Sequence, residues 1–244
     1  MSAGSNVAAP PRELGDLAAS RSDWAALAAV AVIVGVVPLV VDPHWYDRYY
    51  WPKVELFYAA TALGAVALLW RGRTDWLGRL RSPVGYALLA WLAALTVSTL
   101  ASIDPATSLV GDDYRYEGLV TWLAYGVAAA VTGAALVTAA RVRAVIAVAL
   151  GGAVVMSVLA LLQYWGARPV ALDFERAGSL RVFGTVGNPI ALGAYLVLLL
   201  PIAVSLYAAE ERPEWCQLWG AVVVLLYAGL LASLARGAWA ALPV

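Results

Sequence analysis

Ala144-Val-Ile-Ala-Val-Ala-Leu-Gly-Gly-Ala-Val-Val-Met-Ser-Val-Leu-Ala-Leu-Leu-Gln-Tyr-Trp165 carries no charged residue from end to end. As a helix rising 1.5 Å per residue, it covers the ~30 Å of a bilayer's hydrocarbon. Comparable runs occupy residues 24–41, 54–70, 84–101, 120–140, 189–208 and 217–234. Each has roughly the 17–25 residues a crossing needs. The chain is therefore expected to be all-α, a polytopic transmembrane bundle of about seven spans. Lipid cannot satisfy an open backbone, so the spans are helical. Residues 1–23, small, polar and proline-containing, read as a flexible cytoplasmic tail, and residues 24–244 as one transmembrane helical domain. Leu242-Pro243-Val244 falls a few residues into what reads as an eighth span.

Composition agrees. Of 244 residues 63% are hydrophobic and 13% charged, about half the charge of a soluble domain, and mean hydropathy is +0.78. The formal net charge of zero gives no electrostatic case for nucleic acid. A single cysteine, Cys216, excludes an internal disulfide and a cysteine metal cluster, and a single histidine, His44, excludes a histidine pair. No metal and no cofactor is expected. The first apolar run ends in Pro38-Leu-Val-Val-Asp-Pro43 rather than in small residues, and no signal cleavage is expected there.

With the N-terminus inside, nine arginines fall on the cytoplasmic side and seven Lys or Arg residues outside. The bias is carried by Arg71–Arg81 and by Arg141 and Arg143, and it sets the expected orientation. Trp45, Tyr46, Tyr49, Tyr50 and Trp51 then crowd the first outer loop as an interfacial belt. No charged residue lies in the middle of a span. Pumps and ion-coupled transporters usually place such residues near the midplane, so their chemistry is disfavoured. Chemistry is expected at the outer face.

Three outer segments hold the candidates. In Arg181-Val-Phe-Gly-Thr-Val-Gly-Asn-Pro189, Gly184 and Gly187 can take positive φ and turn successive N–H groups toward one point as an anion nest. Asn188 is placed to cap a helix beginning at Pro189, whose positive end would face out beside Arg181. Two readings stand: a phosphate-type anion site, or a helix start with a snorkelling arginine. Arg236, in Ser233-Leu-Ala-Arg-Gly237, is expected to emerge at the same surface in a tight turn, as an anion ligand or an anchor. In Ser108–Thr121 the acids Asp112, Asp113 and Glu117 could bind a sugar, act as a base, or pair with Arg115. His44 is expected to be interfacial and Cys216 inert. Asp173, Glu175 and Arg176 read as a solvated loop.

Taken in order, Pro52-Lys53, Arg115-Tyr-Glu-Gly-Leu119 with Ser108 and Gly111, Arg181–Pro189, and Ala235-Arg-Gly-Ala-Trp239 resemble the O-antigen ligase and O-antigen polymerase family. The resemblance runs from about residue 45 onward. It implies a bacterial inner-membrane glycosyltransferase, moving a glycan from undecaprenyl pyrophosphate to an acceptor glycan or glycolipid at the external face, with neither metal nor nucleotide sugar. It implies a pyrophosphate-binding role for Arg181 and Arg236, and less directly for Arg115. It further implies ten to twelve spans and a catalytic histidine in a large later outer loop. His44 lies in the wrong loop for that role, so no catalytic residue is assigned, and the chain is expected to be a truncated, inactive form. A transport reading stays open, because some proteins resembling this family are described as bicarbonate transporters. So does a non-catalytic membrane subunit.

Overall fold

The computed structural model describes residues 23–70, 81–112, 115–167 and 181–241. Among them every regular element is a helix: α1 (Asp23–Leu39), α2 (Trp51–Trp70), α3 (Pro83–Leu100), α4 (Pro105–Val110), α5 (Leu119–Ala135), α6 (Ala139–Tyr164), α7 (Pro189–Ala209), α8 (Pro213–Ala232) and α9 (Arg236–Ala240). Five of them, α2, α3, α6, α7 and α8, are long and apolar enough to cross a membrane, and α1 and α5 are shorter apolar helices. Large apolar side chains on these helices face outward: Leu63, Leu198 and Val224 are each more than two-thirds exposed. Surface of that kind on several helices needs lipid around it. The chain is a multi-span membrane protein.

Helix starts follow local chemistry. Ser82, Asp104, Thr138 and Asn188 each accept a backbone N–H from the following turn, and proline opens α3, α4, α7 and α8. At Asp104 the hydroxyl and N–H of Thr107 hold the carboxyl below its ordinary range. That cap is therefore kept as pH falls through the usual carboxylate range and is lost only below it.

Two boundaries differ from expectation. The run 120–140 does not continue to Ala140: α5 stops at Ala135, and α6 begins at Ala139, with Arg141 and Arg143 inside its first turns. Thr138 accepts from the Arg141 N–H and restarts the helix, a signal hidden by uniform apolar residues on both sides. Asp23, expected in the tail, is the first residue of α1, and its carboxylate pairs with Arg141 at 3.1 Å. The rest of the tail, Arg71–Leu80 with its arginines, Asp113, Arg168–Leu180 and Leu242–Val244 lie outside the described residues.

Two cores form. Met156 and Ala160 of α6, Leu192 and Leu196 of α7, and Leu226 and Leu230 of α8 are all essentially inaccessible. A smaller core joins Ala26 and Val30 of α1 to Ala67, Val131 and Val145. The helices meet through small residues: a Cβ at Gly229 would lie 2.9 Å from Ser157, and one at Gly35 would lie 2.4 Å from Val148. Near Gly35, α1 loosens through residues 32–36 into a π turn and then a tight 3-10 turn at Val37–Leu39. Its last carbonyls are thereby released for other partners.

One such partner is the turn 182–188, which is re-entrant. Gly184 lies between the side chains of Gln163 and Met156, one and eight positions before the end of α6, so the turn dips alongside the last turns of that helix. Non-helical backbone at that depth must be satisfied by protein. Gln163 does this: its Oε1 accepts from the N–H groups of Phe183 (3.3 Å) and Gly184 (2.8 Å), and its Nε2 donates to the Gly184 carbonyl at 3.0 Å. The Thr185 hydroxyl donates to the Pro38 carbonyl at 2.8 Å. Gln163→Leu should destabilise the protein by about 2–4 kcal/mol, since three buried backbone groups lose partners. Thermal unfolding in detergent and exchange at the Gly184 amide are the measurements, with Gln163→Glu expected to cost less.

Candidate functional site

One end of the bundle is assembled around the chain's only lysine. Lys53, in the first turn of α2, donates its ammonium to the carbonyls of Val40 (2.5 Å), Tyr49 (2.8 Å) and Thr185 (2.8 Å). Those oxygens come from the end of α1, the α1–α2 loop and the re-entrant turn. An ammonium directs three donors tetrahedrally and can serve three convergent carbonyls, as a planar guanidinium cannot. Asp47 Oδ1 accepts from the N–H groups of Tyr49 and Tyr50 and shapes the approach to α2.

Gly184 and Gly187 take the positive φ values expected, 56° and 78°. Both are also sites of close approach, where a Cβ would lie 2.5 Å from Met156 Sδ or 2.6 Å from the Tyr49 ring. Of the N–H groups expected to form an anion nest, that of Gly184 is spent on Gln163, and the neighbouring Thr185 N–H faces Met156 Sδ. Asn188 does cap α7: Oδ1 accepts from Ile190 at 2.8 Å and the Asn188 carbonyl from Leu192 at 3.0 Å. The Ile190 and Leu192 N–H groups at this helix start are thus engaged locally.

Arg181 and Arg236, far apart in sequence, meet in one cavity of about 940 Å³. Ile190, Ala194, Val197 and Leu198, two turns of α7, form its apolar wall, with Trp239 opposite. The Arg236 turn reaches α7 because position 193 is glycine: a Cβ there would stand 2.7 Å from that of Ala235 and 2.9 Å from that of Ala238. The turn itself bends at Leu234, a non-glycine residue at φ 51°, a conformation costing roughly 1–3 kcal/mol. It is held by the buried Ser233 hydroxyl, which donates to Leu230 and accepts from the Ala235 N–H. Trp239 Nε1 donates to the same Leu230 carbonyl at 3.1 Å.

Arg115 is not in that cavity. It lines a second one of about 450 Å³ with Lys53, Glu117, Tyr125 and Asn188. Its loop closes through Gly111 and Gly118, which lie backbone against backbone, and Trp51 packs edge-on against Tyr116 at 5.2 Å. The expected pairing of Arg115 with its neighbouring acids is not seen among the described residues, where neither Arg115 nor Glu117 forms an ion pair. His44 is exposed on the α1–α2 loop, 3.4 Å from Asp42, and lines neither cavity.

Lys53 and Gln163 were not among the expected site residues. Lys53 was legible as one loop charge and, with Pro52, as part of the resemblance, and its being the sole lysine was a further usable signal. Comparison with protein-family models, curated proteins and solved structures finds no match for this chain.

Lys53→Ala leaves three carbonyls from three segments without their common donor, and Lys53→Arg should rescue only part of the loss. We expect both to lower the thermal unfolding midpoint, alanine more, and to expose the Thr185 region to proteolysis.

Proposed function

We propose that the chain is a bacterial plasma-membrane protein of the O-antigen ligase and polymerase type. On this reading it has seven crossings with its N-terminus cytoplasmic, and it binds an undecaprenyl pyrophosphate-linked glycan at the outer face. The reaction class is transfer of that glycan to a hydroxyl of an acceptor sugar, with the lipid pyrophosphate leaving. The reading calls on no metal or nucleotide sugar, and it assigns no catalytic base within this chain.

The observation carrying it is the cavity shared by Arg181 and Arg236. Its wall is apolar over two turns of α7, and its two named charges are both guanidiniums. That combination suits an amphiphile with a long hydrocarbon tail and an anionic head. Guanidiniums grip phosphate oxygens in bidentate fashion and remain charged at any working pH. Charge grows on the pyrophosphate as the glycosidic bond breaks, and fixed cations beside it stabilise that charge more than the ground state.

In nanodiscs, Arg181→Ala and Arg236→Ala should each weaken undecaprenyl pyrophosphate binding by about 10- to 100-fold, the loss of a charge-assisted contact of roughly 1.5–3 kcal/mol. Gly193→Val, which keeps both arginines but pushes the Arg236 turn off α7, should weaken binding as well. Unchanged affinity in both arginine variants would overturn the reading. Solute flux in vesicles free of glycan donor would favour transport instead.

A further inference from the structure

The second cavity has a chemistry of its own. Its volume, about 450 Å³, lies in the range of small-ligand sites. Tyr50, Phe57 and Tyr125 give it aromatic surface, while Glu117, Arg115 and Asn188 give it polar groups of both kinds. Phe57 and Tyr125 stand 5.2 Å apart, and Tyr125 packs edge-on against Trp122 at 5.3 Å, so the rings are fixed by their neighbours. Thr121 holds the back wall. Its hydroxyl donates to the Tyr116 carbonyl and receives the Tyr58 hydroxyl at 2.6 Å.

The polar groups are open to a ligand. Asn188 uses Oδ1 as its helix cap, which leaves the two Nδ2 donors. Glu117 and Arg115 are exposed and form no ion pair among the described residues. Glu117 can only accept and Arg115 can only donate. An anion would meet the Glu117 carboxylate, and a cation would meet Arg115 and Lys53. A bare hydrocarbon would leave all three polar side chains unanswered. What fits is an uncharged molecule with a C–H face for the rings and a rim of hydroxyls that both donate and accept.

We propose that this cavity binds a sugar ring. The two cavities flank one turn, Arg181 at its start lining the first and Asn188 at its end lining the second. Whether the ring belongs to the lipid-linked donor or to the acceptor rests on the pyrophosphate reading above; the binding of a ring does not.

The test uses the whole chain in nanodiscs. Saturation-transfer NMR with the methyl glycosides of N-acetylglucosamine and galactose should detect binding of at least one. Glu117→Gln and Tyr125→Leu should weaken it by about tenfold, while the affinity for bare undecaprenyl pyrophosphate stays unchanged. Glu117→Gln alters an exposed side chain without hydrogen bonds among the described residues, so its folding is expected to be normal. In a second arm, a single N-acetylglucosaminyl residue is added to the lipid pyrophosphate. A gain in affinity that Glu117→Gln abolishes, with displacement of the free glycoside, identifies the donor ring. Simultaneous binding of glycoside and sugar-bearing lipid identifies the acceptor. No glycoside binding, or binding undiminished in both variants, overturns the proposal. Glycoside binding that persists while Arg181→Ala and Arg236→Ala both leave lipid pyrophosphate affinity intact sinks the earlier reading alone.

Discussion

Three carbonyls from three segments converge on the ammonium of Lys53, and that end of the bundle depends on the meeting. Each oxygen sits where a helix has ended or has not begun, so none has a helical N–H to bond. In lipid, backbone of this kind is admissible only when protein supplies the partners. One charged donor supplies three, and in doing so fixes the end of α1, the α1–α2 loop and the re-entrant turn relative to one another. Gln163 performs the matching task from α6, offering an acceptor to two N–H groups and a donor to one carbonyl. Remove either side chain and the turn has no reason to stay at its depth.

Glycines set the distances once those polar links set the connections. At Gly184 and Gly187 two demands coincide, a left-handed backbone and room for Met156 or Tyr49. At Gly193 the demand is only for room, and what it admits is the Arg236 turn. The strained Leu234 is on that same turn, so a cost is accepted at the place where Arg236 is aimed. Backbone strain of this sort persists only when its surroundings hold it, as Ser233 and Trp239 do here. Position 193 is thus as important to the shared cavity as either guanidinium.

How much of this could be read from residues alone varies with range. Helices were legible because apolar length is a one-dimensional signal, and the Asn188 cap is local chemistry. The α5–α6 break was placed at the arginines rather than at residues 136–138, because Leu136 and Val137 continue the apolar run and hydropathy steps only at Arg141. Positive φ at Gly184 and Gly187 could be anticipated, since glycine reaches it without steric cost. That the Gly184 N–H is taken could not be judged, because its partner Gln163 lies 21 positions earlier on another element. Lys53 shows the same limit: its partners lie up to 132 positions away, and sequence counts a charge without showing what it faces. The meeting of Arg181 with Arg236 was suggested by resemblance and by a shared side of the membrane. The separate setting of Arg115 was suggested by neither.

That separation bears on how an amphiphile would lie. A guanidinium stays charged at any working pH. An anion entering that cavity would meet two fixed cations on its lining, and the apolar wall along α7 gives the anion's tail somewhere to go. Apart from Trp239, the remaining surface of that cavity is aliphatic. Hydroxylated groups find more partners in the other, where aromatic rings and polar groups of both kinds replace the aliphatic wall. The turn between them, pinned by Lys53 and Gln163, keeps the two environments distinct. A lipid-linked sugar has the same division along its length, hydrocarbon, then diphosphate, then ring. On the proposed reading its tail and diphosphate would lie along α7 by Arg181 and Arg236, and a donor ring would then reach over Asn188 toward Glu117.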